Sequence, residues 1–228
     1  MTTLRRVGFL GDVHAEDERL ARAIDVLEAE GASQLACVGD IIDGKGDFER
    51  VVDLLHAHRV VTVRGNHERW FLADDMRDLP DAHGRDRVSE SARAYIASLP
   101  AMVEIPTIAG SILLCHGLGA DDMTGVQPWD ADTWLRHDPS LQRLLRTTSM
   151  RFVLNGHTHR RLVRPIEDRL FINAGTLYRD HDPSFGLLDL EASVVRTWLF
   201  DSDLSVQEIA PTPFDLAEPP PTPKRPPA

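Results

Sequence analysis

Five short apolar runs in this chain each end at, or next to, a turn that carries Asp, His or Asn side chains and, in most cases, a glycine. The turns read Asp12-Val13-His14, Asp40-Ile41-Ile42-Asp43, Asn66-His67-Glu68, His116-Gly117 and His157-Thr158-His159. In open α/β sheets the carboxyl ends of parallel strands meet at one edge, so residues distant in sequence come together there. Glycine suits such turns because it accepts positive φ angles and close backbone approach. The pattern therefore predicts one site assembled from several strand ends.

Strand and helix patterns alternate in the first third of the chain, which favours a mainly parallel sheet with right-handed crossovers. The predicted strands there cover 7–10, 35–38 and 60–63. The first helix is predicted to begin with Asp17 as its N-cap and to end at Gly31, and the second to cover 48–55. The sequence thus predicts an α/β fold, which some schemes class as α+β.

The rest of the chain is predicted to continue the domain to residue 210. Residues 69–100 are polar and helical in pattern and are interpreted as a helical insertion, and a further helix is predicted over 133–146. The later strands are predicted at 112–115, 152–154, 163–166, 170–172, 185–190 and 194–200, the last four in antiparallel pairs. The proline-rich tail, 211–228, is predicted to be disordered.

The composition is that of an ordinary globular protein. With 36 acidic and 25 basic residues, the net charge is −11, which argues against a general nucleic-acid binder. The N-terminus lacks the pattern of a secretory signal and no apolar run is long enough to span a bilayer, so we expect a cytoplasmic protein with no membrane partner. The two cysteines, Cys37 and Cys115, lie in strand-like runs and are predicted to be buried free thiols.

The strand-end residues combine carboxylate oxygens, imidazole nitrogens and an amide carbonyl. This mixture suits Mn, Fe, Zn or Ni better than Ca²⁺, which prefers oxygen ligands alone. Two bound divalent cations would add about four positive charges where an anion would dock. The acidic balance therefore disfavours long polyanions but leaves a small phosphate ester open.

Taken in order, Asp-x-His, Gly-Asp-x-x-Asp, Gly-Asn-His-Glu, a later His and Gly-His-x-His resemble the calcineurin-like metallophosphoesterases. The resemblance runs from Asp12 to His159, and 172–176 resembles the strand and turn that commonly follow the last motif. It implies two packed mixed β-sheets flanked by helices, an αββα sandwich. It also implies a hydrolase that cleaves phosphate esters by attack of a hydroxide bridging two metal ions.

The resemblance also assigns roles to individual residues. It implies that one metal is held by Asp12, His14 and His159, that the other is held by Asn66, His116 and His157, and that Asp40 bridges the two. Mn is the expected metal, with Fe, Zn or Ni as alternatives, because ligand type alone does not fix the metal.

His67 is the histidine of the set that the resemblance places off the metals. It implies that His67 faces the leaving-group oxygen as a general acid or transition-state stabiliser, and that Asp43 fixes its tautomer and favours its protonated form. A histidine at this position implies activity on poor, alkoxide-like leaving groups. We therefore expect phosphomonoesters to be favoured and small phosphodiesters to be possible substrates.

Other functions stay open at this stage. Protein serine/threonine phosphatases and their dinucleoside polyphosphatase relatives usually carry Asp-Arg-Gly where this chain has Asp43-Gly44-Lys45, and a lysine lacks the bidentate fork of arginine. The chain is more similar to the compact prokaryotic phosphoesterases. A metal-binding scaffold with little catalysis, as in the retromer subunit that resembles this family, and a nuclease are further alternatives. Oligomeric state is left open.

Several other residues carry weaker predictions. Arg64 and Asn66 are candidate phosphate contacts, although a strand-end arginine is often only solvated. Glu68 either supports the metal ligands or begins the next helix. The candidates for lining a substrate pocket are Asp121, Asp122, Trp129 and Trp134, of which Trp134 is predicted to belong to the core. The histidines predicted to lie on the surface are His56, His58, His83, His137 and His181.

Overall fold

A computed structural model describes residues 4–75 and 79–215. The strands are β1 Arg6–Leu10, β2 Gln34–Cys37, β3 Val61–Thr62, β4 Met102–Thr107, β5 Gly110–Cys115, β6 Phe152–Asn155, β7 Leu162–Ile166, β8 Arg169–Asn173, β9 Ser184–Asp189, β10 Val194–Phe200, β11 Val206–Glu208 and β12 Thr212–Pro213. The helices are α1 Asp17–Ala29, α2 Phe48–Ala57, α3 Asn66–Ala73, α4 Glu90–Ser98, α5 Asp132–Leu135 and α6 Pro139–Thr147.

The strands form two mixed sheets. The first has the order β11-β10-β9-β1-β2-β3, with β12 added beside β10, and the second has the order β4-β5-β6-β8-β7. In the first sheet β1, β2 and β3 are parallel, and in the second β5, β6 and β8 are parallel. The predicted class, two packed mixed sheets flanked by helices, is confirmed.

Alternation along the strands decides which layer each side chain enters. In β1, Val7 and Phe9 join the apolar cluster between the two sheets, whereas Leu10 joins the cluster under α1, α2 and α4. In β5, Leu114 faces the other sheet, and Leu113 joins the cluster that packs under α6. Because successive strand residues point to opposite faces, strands that are apolar throughout are buried on both sides. The result is four layers: helices, the first sheet, the second sheet and helices again.

The structure corrects some predicted element boundaries. Asp17 is the first residue of α1, and the N-cap position belongs to Glu16. The carboxylate of Asp17 instead accepts a hydrogen bond from the amide of Asp47. The single helix predicted over 133–146 is two helices, because Asp138 caps a new helix that begins with Pro139.

The regions predicted to be an insertion and a tail contain several regular elements. The 69–100 region contains most of α3, a 3-10 turn at Arg85–Arg87 and α4, with residues 76–78 outside the described part of the chain. At the start of the predicted tail, β12 pairs with β10 and the amide of Phe214 donates to the carbonyl of Ser193. Residues 216–228 lie outside the described residues, so disorder there stays a prediction.

None of the helices in the described part of the chain combines the length and apolar character that a membrane span requires.

Candidate metal centre

The turns after β1, β2 and β3 of the first sheet meet the turns after β5 and β6 of the second sheet. Two groups of potential metal ligands result, each with its ligand atoms within 4.8 Å of one another. The first comprises His14, Asp40 and His159, and the second comprises Asp40, His116 and His157. Asp40 belongs to both groups, so its carboxylate lies where two cations could share it.

The first group gains a further carboxylate from Asp12. Nε2 of His159 lies 3.1 Å from Nε2 of His14 and 3.2 Å from Oδ2 of Asp12. Ligands bound at roughly 2.0–2.2 Å from one cation lie about 3 Å apart when the angle between them is near a right angle. These spacings suit a common cation.

The second group gains an amide oxygen from Asn66. Its Oδ1 lies 2.9 Å from Nε2 of His116 and 3.0 Å from Nδ1 of His157. Nε2 of His116 is also 3.2 Å from Oδ2 of Asp40. The second set therefore consists of two imidazoles, one amide oxygen and the shared carboxylate.

Backbone carbonyls orient two of the imidazoles. Nδ1 of His116 lies 2.8 Å from the carbonyl oxygen of Val38, and Nδ1 of His14 lies 2.9 Å from that of Asp43. A carbonyl only accepts, so each Nδ1 carries a proton and Nε2 is the nitrogen that faces the centre. Both rings are thus oriented to bind a metal through Nε2.

One buried polar atom provides a test of whether a cation fits. Among the described residues, Oδ2 of Asp12 is buried and has no hydrogen-bond partner. Burial raises the pKa of Asp12 to about 8, even though the charge of His116 opposes this rise. A buried carboxylate oxygen without a donor is costly unless a cation neutralises it. The donor set and this oxygen together fit a divalent transition metal.

The imidazoles are for the most part in the neutral form that metal binding needs. Burial lowers the pKa of both His14 and His157. For His159, burial and the neighbouring charge of His14 lower the pKa to about 3. His116 differs, because the Asp40 and Asp12 carboxylates overcome the effect of its burial and raise its pKa to about 10. A cation at this position would compete with that proton.

The backbone of the centre is locally strained. Positive φ angles occur at five of the non-glycine site residues, namely His14, Asp40, Asp43, His157 and His159. Such conformations persist only where the surrounding structure imposes them, and they cluster at functional sites. A Cβ added at Gly65 would lie 2.1 Å from Oδ1 of Asp40, and one at Gly156 would lie 2.4 Å from Oδ1 of Asp12. Glycine is therefore needed at both positions for the backbone to approach the ligands.

His67 and Asp43 form a pair beside the two groups. Nδ1 of His67 lies 2.8 Å from Oδ2 of Asp43, and Nε2 of His67 lies 3.9 Å from Oδ2 of Asp40. Burial alone would lower the pKa of His67, but the Asp43 hydrogen bond and the Asp40 charge raise it overall. The Nε2 atom thus lies toward the shared carboxylate, and the two carboxylates favour the charged form of the imidazole.

Glu68 serves both of the roles that the sequence left open. It lies in the first turn of α3 and is fully buried. Its carboxylate accepts four backbone N–H bonds, from Asp40, Ile41, Ile42 and Gly65, at 2.8 to 3.2 Å. Because three of these amides belong to the turn that carries Asp40, Glu68 fixes the shared carboxylate relative to α3.

Two histidines predicted to lie on the surface contact the site. The backbone N–H of His83 donates to Oδ1 of Asp43 at 2.8 Å, and His83 is only partly exposed. His181 is exposed as predicted, but its Nδ1 lies 2.7 Å from Nδ1 of His159. Sequence spacing gave no signal for either contact, because both arise from loops that lie far from the motifs in sequence.

His181 leads to a prediction about metal affinity. Nε2 of His159 faces His14 and Asp12, and Nδ1 of His159 lies 2.7 Å from Nδ1 of His181. With a cation bound at Nε2, Nδ1 of His159 would carry the proton and donate it to His181. Loss of such a supporting contact typically weakens metal binding about 10- to 100-fold. We expect His181→Ala to weaken binding of one of two Mn²⁺ ions by about tenfold in isothermal titration calorimetry and to leave the melting temperature unchanged.

The exposed His137 provides the matched control for this measurement. We expect His137→Ala to bind metal like the unmodified protein, because its Nδ1 contacts only the carbonyl of Thr133 among the described residues. His181→Asn, which retains an acceptor, is expected to recover part of the affinity. Equal affinities in His181→Ala and the unmodified protein would contradict the assignment.

The remaining candidates lie at the margins of the site. The backbone of Arg64 donates to the carbonyl of Pro100, and its side chain is partly buried. Asp122 forms a bidentate ion pair with Arg69, at 2.6 and 2.9 Å. Asp121 accepts a hydrogen bond from the hydroxyl of Ser140. Lys45 pairs with Asp180.

The two tryptophans after His116 are exposed. Trp134 is 46% exposed and Trp129 is 69% exposed. The prediction that Trp134 belongs to the core was wrong, because α5 turns Leu135 inward instead.

The family described as the calcineurin-like phosphoesterase superfamily domain matches residues 6–193. The chain belongs to this superfamily. An uncharacterized protein of Methanocaldococcus jannaschii is 20% identical over 187 residues, which cover 78% of this chain and 72% of that protein.

Solved structures share the fold at low sequence identity. A metallophosphoesterase from Sphaerobacter thermophilus has 19% identity and a TM-score of 0.65, with 89% of this chain and 91% of that chain covered. The Escherichia coli phosphoesterase Yfce has 18% identity and a TM-score of 0.55, over 92% and 100% of the two chains. A Vps29 mutant from Entamoeba histolytica has 21% identity and a TM-score of 0.57, over 92% and 99%.

Proposed function

We propose that this protein is a two-metal phosphoesterase that favours phosphomonoesters and also accepts small phosphodiesters. The observation that carries the proposal is the position of Asp40, which belongs to both ligand groups and has His67 beside it. Membership of the superfamily supports metal-dependent hydrolysis of phosphate esters in general. The preference for monoesters rests on the His67–Asp43 pair.

The donor atoms described above support two cation positions. When bound, two divalent transition-metal ions, with Mn expected and Fe, Zn or Ni as alternatives, would supply Lewis-acid charge and a water of lowered pKa. They would be held by Asp12, His14 and His159 on one side and by Asn66, His116 and His157 on the other, with Asp40 between them.

Residues of the chain handle the proton of the reaction. His67 donates the proton on Nε2 to the oxygen of the leaving group, and Asp43 holds the Nδ1 proton at 2.8 Å. General-acid catalysis of this kind contributes typically about 10²–10⁴-fold, and it matters most when the leaving group is a poor one such as an alkoxide. The Asp43 carboxylate also stabilises the charged imidazole before the transfer.

Two alternatives receive less support. A protein phosphatase or dinucleoside polyphosphatase activity would require a cationic side chain next to Asp43 that binds the substrate phosphate. Lys45, the cation at that place in the sequence, is exposed and paired with Asp180. A metal-binding scaffold does not need a proton donor such as the His67–Asp43 pair. The pair therefore favours the enzyme.

Hydrolysis by metal-stripped protein tests the proposal. With Mn²⁺, Ni²⁺, Zn²⁺ or Mg²⁺ added back separately, we expect turnover of p-nitrophenyl phosphate only in the presence of metal, and slower turnover of bis-p-nitrophenyl phosphate. Calorimetry on the same samples measures the number of ions bound. No turnover with any metal, although two ions bind, would contradict the proposal and favour the scaffold.

A further inference from the structure

The His67–Asp43 pair is held from a third direction by residues 79–89, which we name the 79–89 segment. Oδ2 of Asp43 faces Nδ1 of His67 at 2.8 Å, and Oδ1 of Asp43 accepts the backbone N–H of His83, also at 2.8 Å. A carboxylate fixed through one oxygen can still rotate about its Cβ–Cγ bond. A second bond to the other oxygen fixes the plane of the carboxylate and hence the direction of the imidazole.

The same segment also holds the helix that carries His67. The Arg85 guanidinium donates to the carbonyl of Leu72 at 2.6 Å and lies 3.3 Å from the carboxylate of Asp74, both at the end of α3. A cation at a helix C-terminus stabilises the exposed carbonyls there. One short segment therefore contacts both partners of the pair, Asp43 directly and His67 through its helix.

The segment contacts α2 at two points. The backbone N–H and the hydroxyl of Ser89 donate to the Glu49 carboxylate, each at 2.7 Å, and the His83 ring lies 5.6 Å from the Phe48 ring. A cavity of about 640 Å³, lined by 44–49, 80–83 and Arg87, lies beside these contacts. Directed contacts, and not close packing alone, thus set the position of the His83 amide.

We propose that the 79–89 segment is a positioning element that orients the His67–Asp43 pair for proton donation to the leaving group. The proposal rests on the proposed function, because it takes His67 as the proton donor. It assigns a task to the helical insertion, which otherwise lacks one. The segment itself touches neither substrate nor metal in this proposal.

Leaving-group dependence gives the decisive measurement. His83→Pro removes the amide N–H, and Arg85→Ala removes the contact with α3. We expect each to lower kcat for glycerol 2-phosphate by about tenfold and kcat for p-nitrophenyl phosphate by less than about twofold, because nitrophenolate leaves without a proton. His67→Ala sets the largest loss expected on the alkyl ester.

Two further variants separate the contacts. His83→Ala keeps the amide, so we expect a smaller loss than in His83→Pro. Arg87→Ala, which removes an exposed cation from the same 3-10 turn, is expected to match the unmodified protein on both esters. Equal losses on the two esters in His83→Pro and Arg85→Ala, or no loss on either, would overturn the proposal.

A spectroscopic measurement does not depend on turnover. The hydrogen-bonded Nδ1 proton of His67 is expected to give a proton NMR signal that persists in Arg87→Ala and disappears or broadens in His83→Pro and Arg85→Ala. If the unmodified protein hydrolyses no ester, the proposed function fails, while this signal still tests the positioning. An unchanged signal in both Arg85→Ala and a folded His83→Pro would overturn the proposal.

Discussion

Replacement of Asp40 with asparagine is expected to reduce metal-dependent turnover by at least about 100-fold, since even supporting contacts of a metal site are worth about 10- to 100-fold. Asp40 is buried and is the carboxylate common to both ligand groups. Asparagine keeps the shape but removes the charge, and its NH₂ group would face an imidazole nitrogen or a cation. The measurement is kcat for p-nitrophenyl phosphate with Mn²⁺, together with the number of ions bound in calorimetry.

The fold of the Asp40→Asn variant should remain intact. Oδ1 of Asp40 accepts the amide of His67 at 3.0 Å, and the side-chain oxygen of asparagine can accept the same bond. Asp53→Asn, at an exposed position on α2, is the matched control and should behave like the unmodified protein. A folded Asp40→Asn variant that binds two ions and turns over normally would show that Asp40 is not the shared ligand.

The parts of the site that the sequence predicts are those set by strand ends. Val7, Phe9 and Leu10 alternate between two apolar layers, so the sequence reveals both the strand and the edge at which Asp12 follows it. The same holds for the strands before Asp40 and His116. Glycines next to these ligands add a local signal, because only glycine permits the approach seen at Gly65 and Gly156.

Contacts between distant loops and backbone amides leave no comparable pattern in a single sequence. The backbone N–H of His83 reaches Asp43 whatever side chain residue 83 carries, and His181 meets His159 only after β8 and β9 have been placed. Strand β4 was not predicted either, because three of its six residues are exposed, only one is buried, and it lies at a sheet edge. Tertiary packing decides such features, and local propensity records them weakly.

Glu68→Ala is expected to lower the free energy of unfolding by about 3–5 kcal/mol, because breaking a buried charged network leaves its partners unsatisfied. Four backbone N–H groups around the Asp40 turn would lose their acceptor. For a chain of this size, the loss corresponds to a fall in melting temperature of roughly 10 °C. Thermal unfolding followed by circular dichroism measures it.

The matched control for Glu68 is Glu90, which also lies in the first turn of a helix but is exposed. Glu90→Ala should cost at most about 1 kcal/mol, the usual value of a first-turn carboxylate. Glu68→Gln should fall between the two, because one side-chain oxygen can still accept the bonds of two amides while the NH₂ group opposes the other pair. Similar melting temperatures for Glu68→Ala and Glu90→Ala would mean that Glu68 acts only on the helix dipole. A much lower melting temperature for Glu68→Ala than for Glu90→Ala, as expected, would link the stability of the fold to the same carboxylate that fixes Asp40. The fold and the metal centre would then depend on one buried side chain.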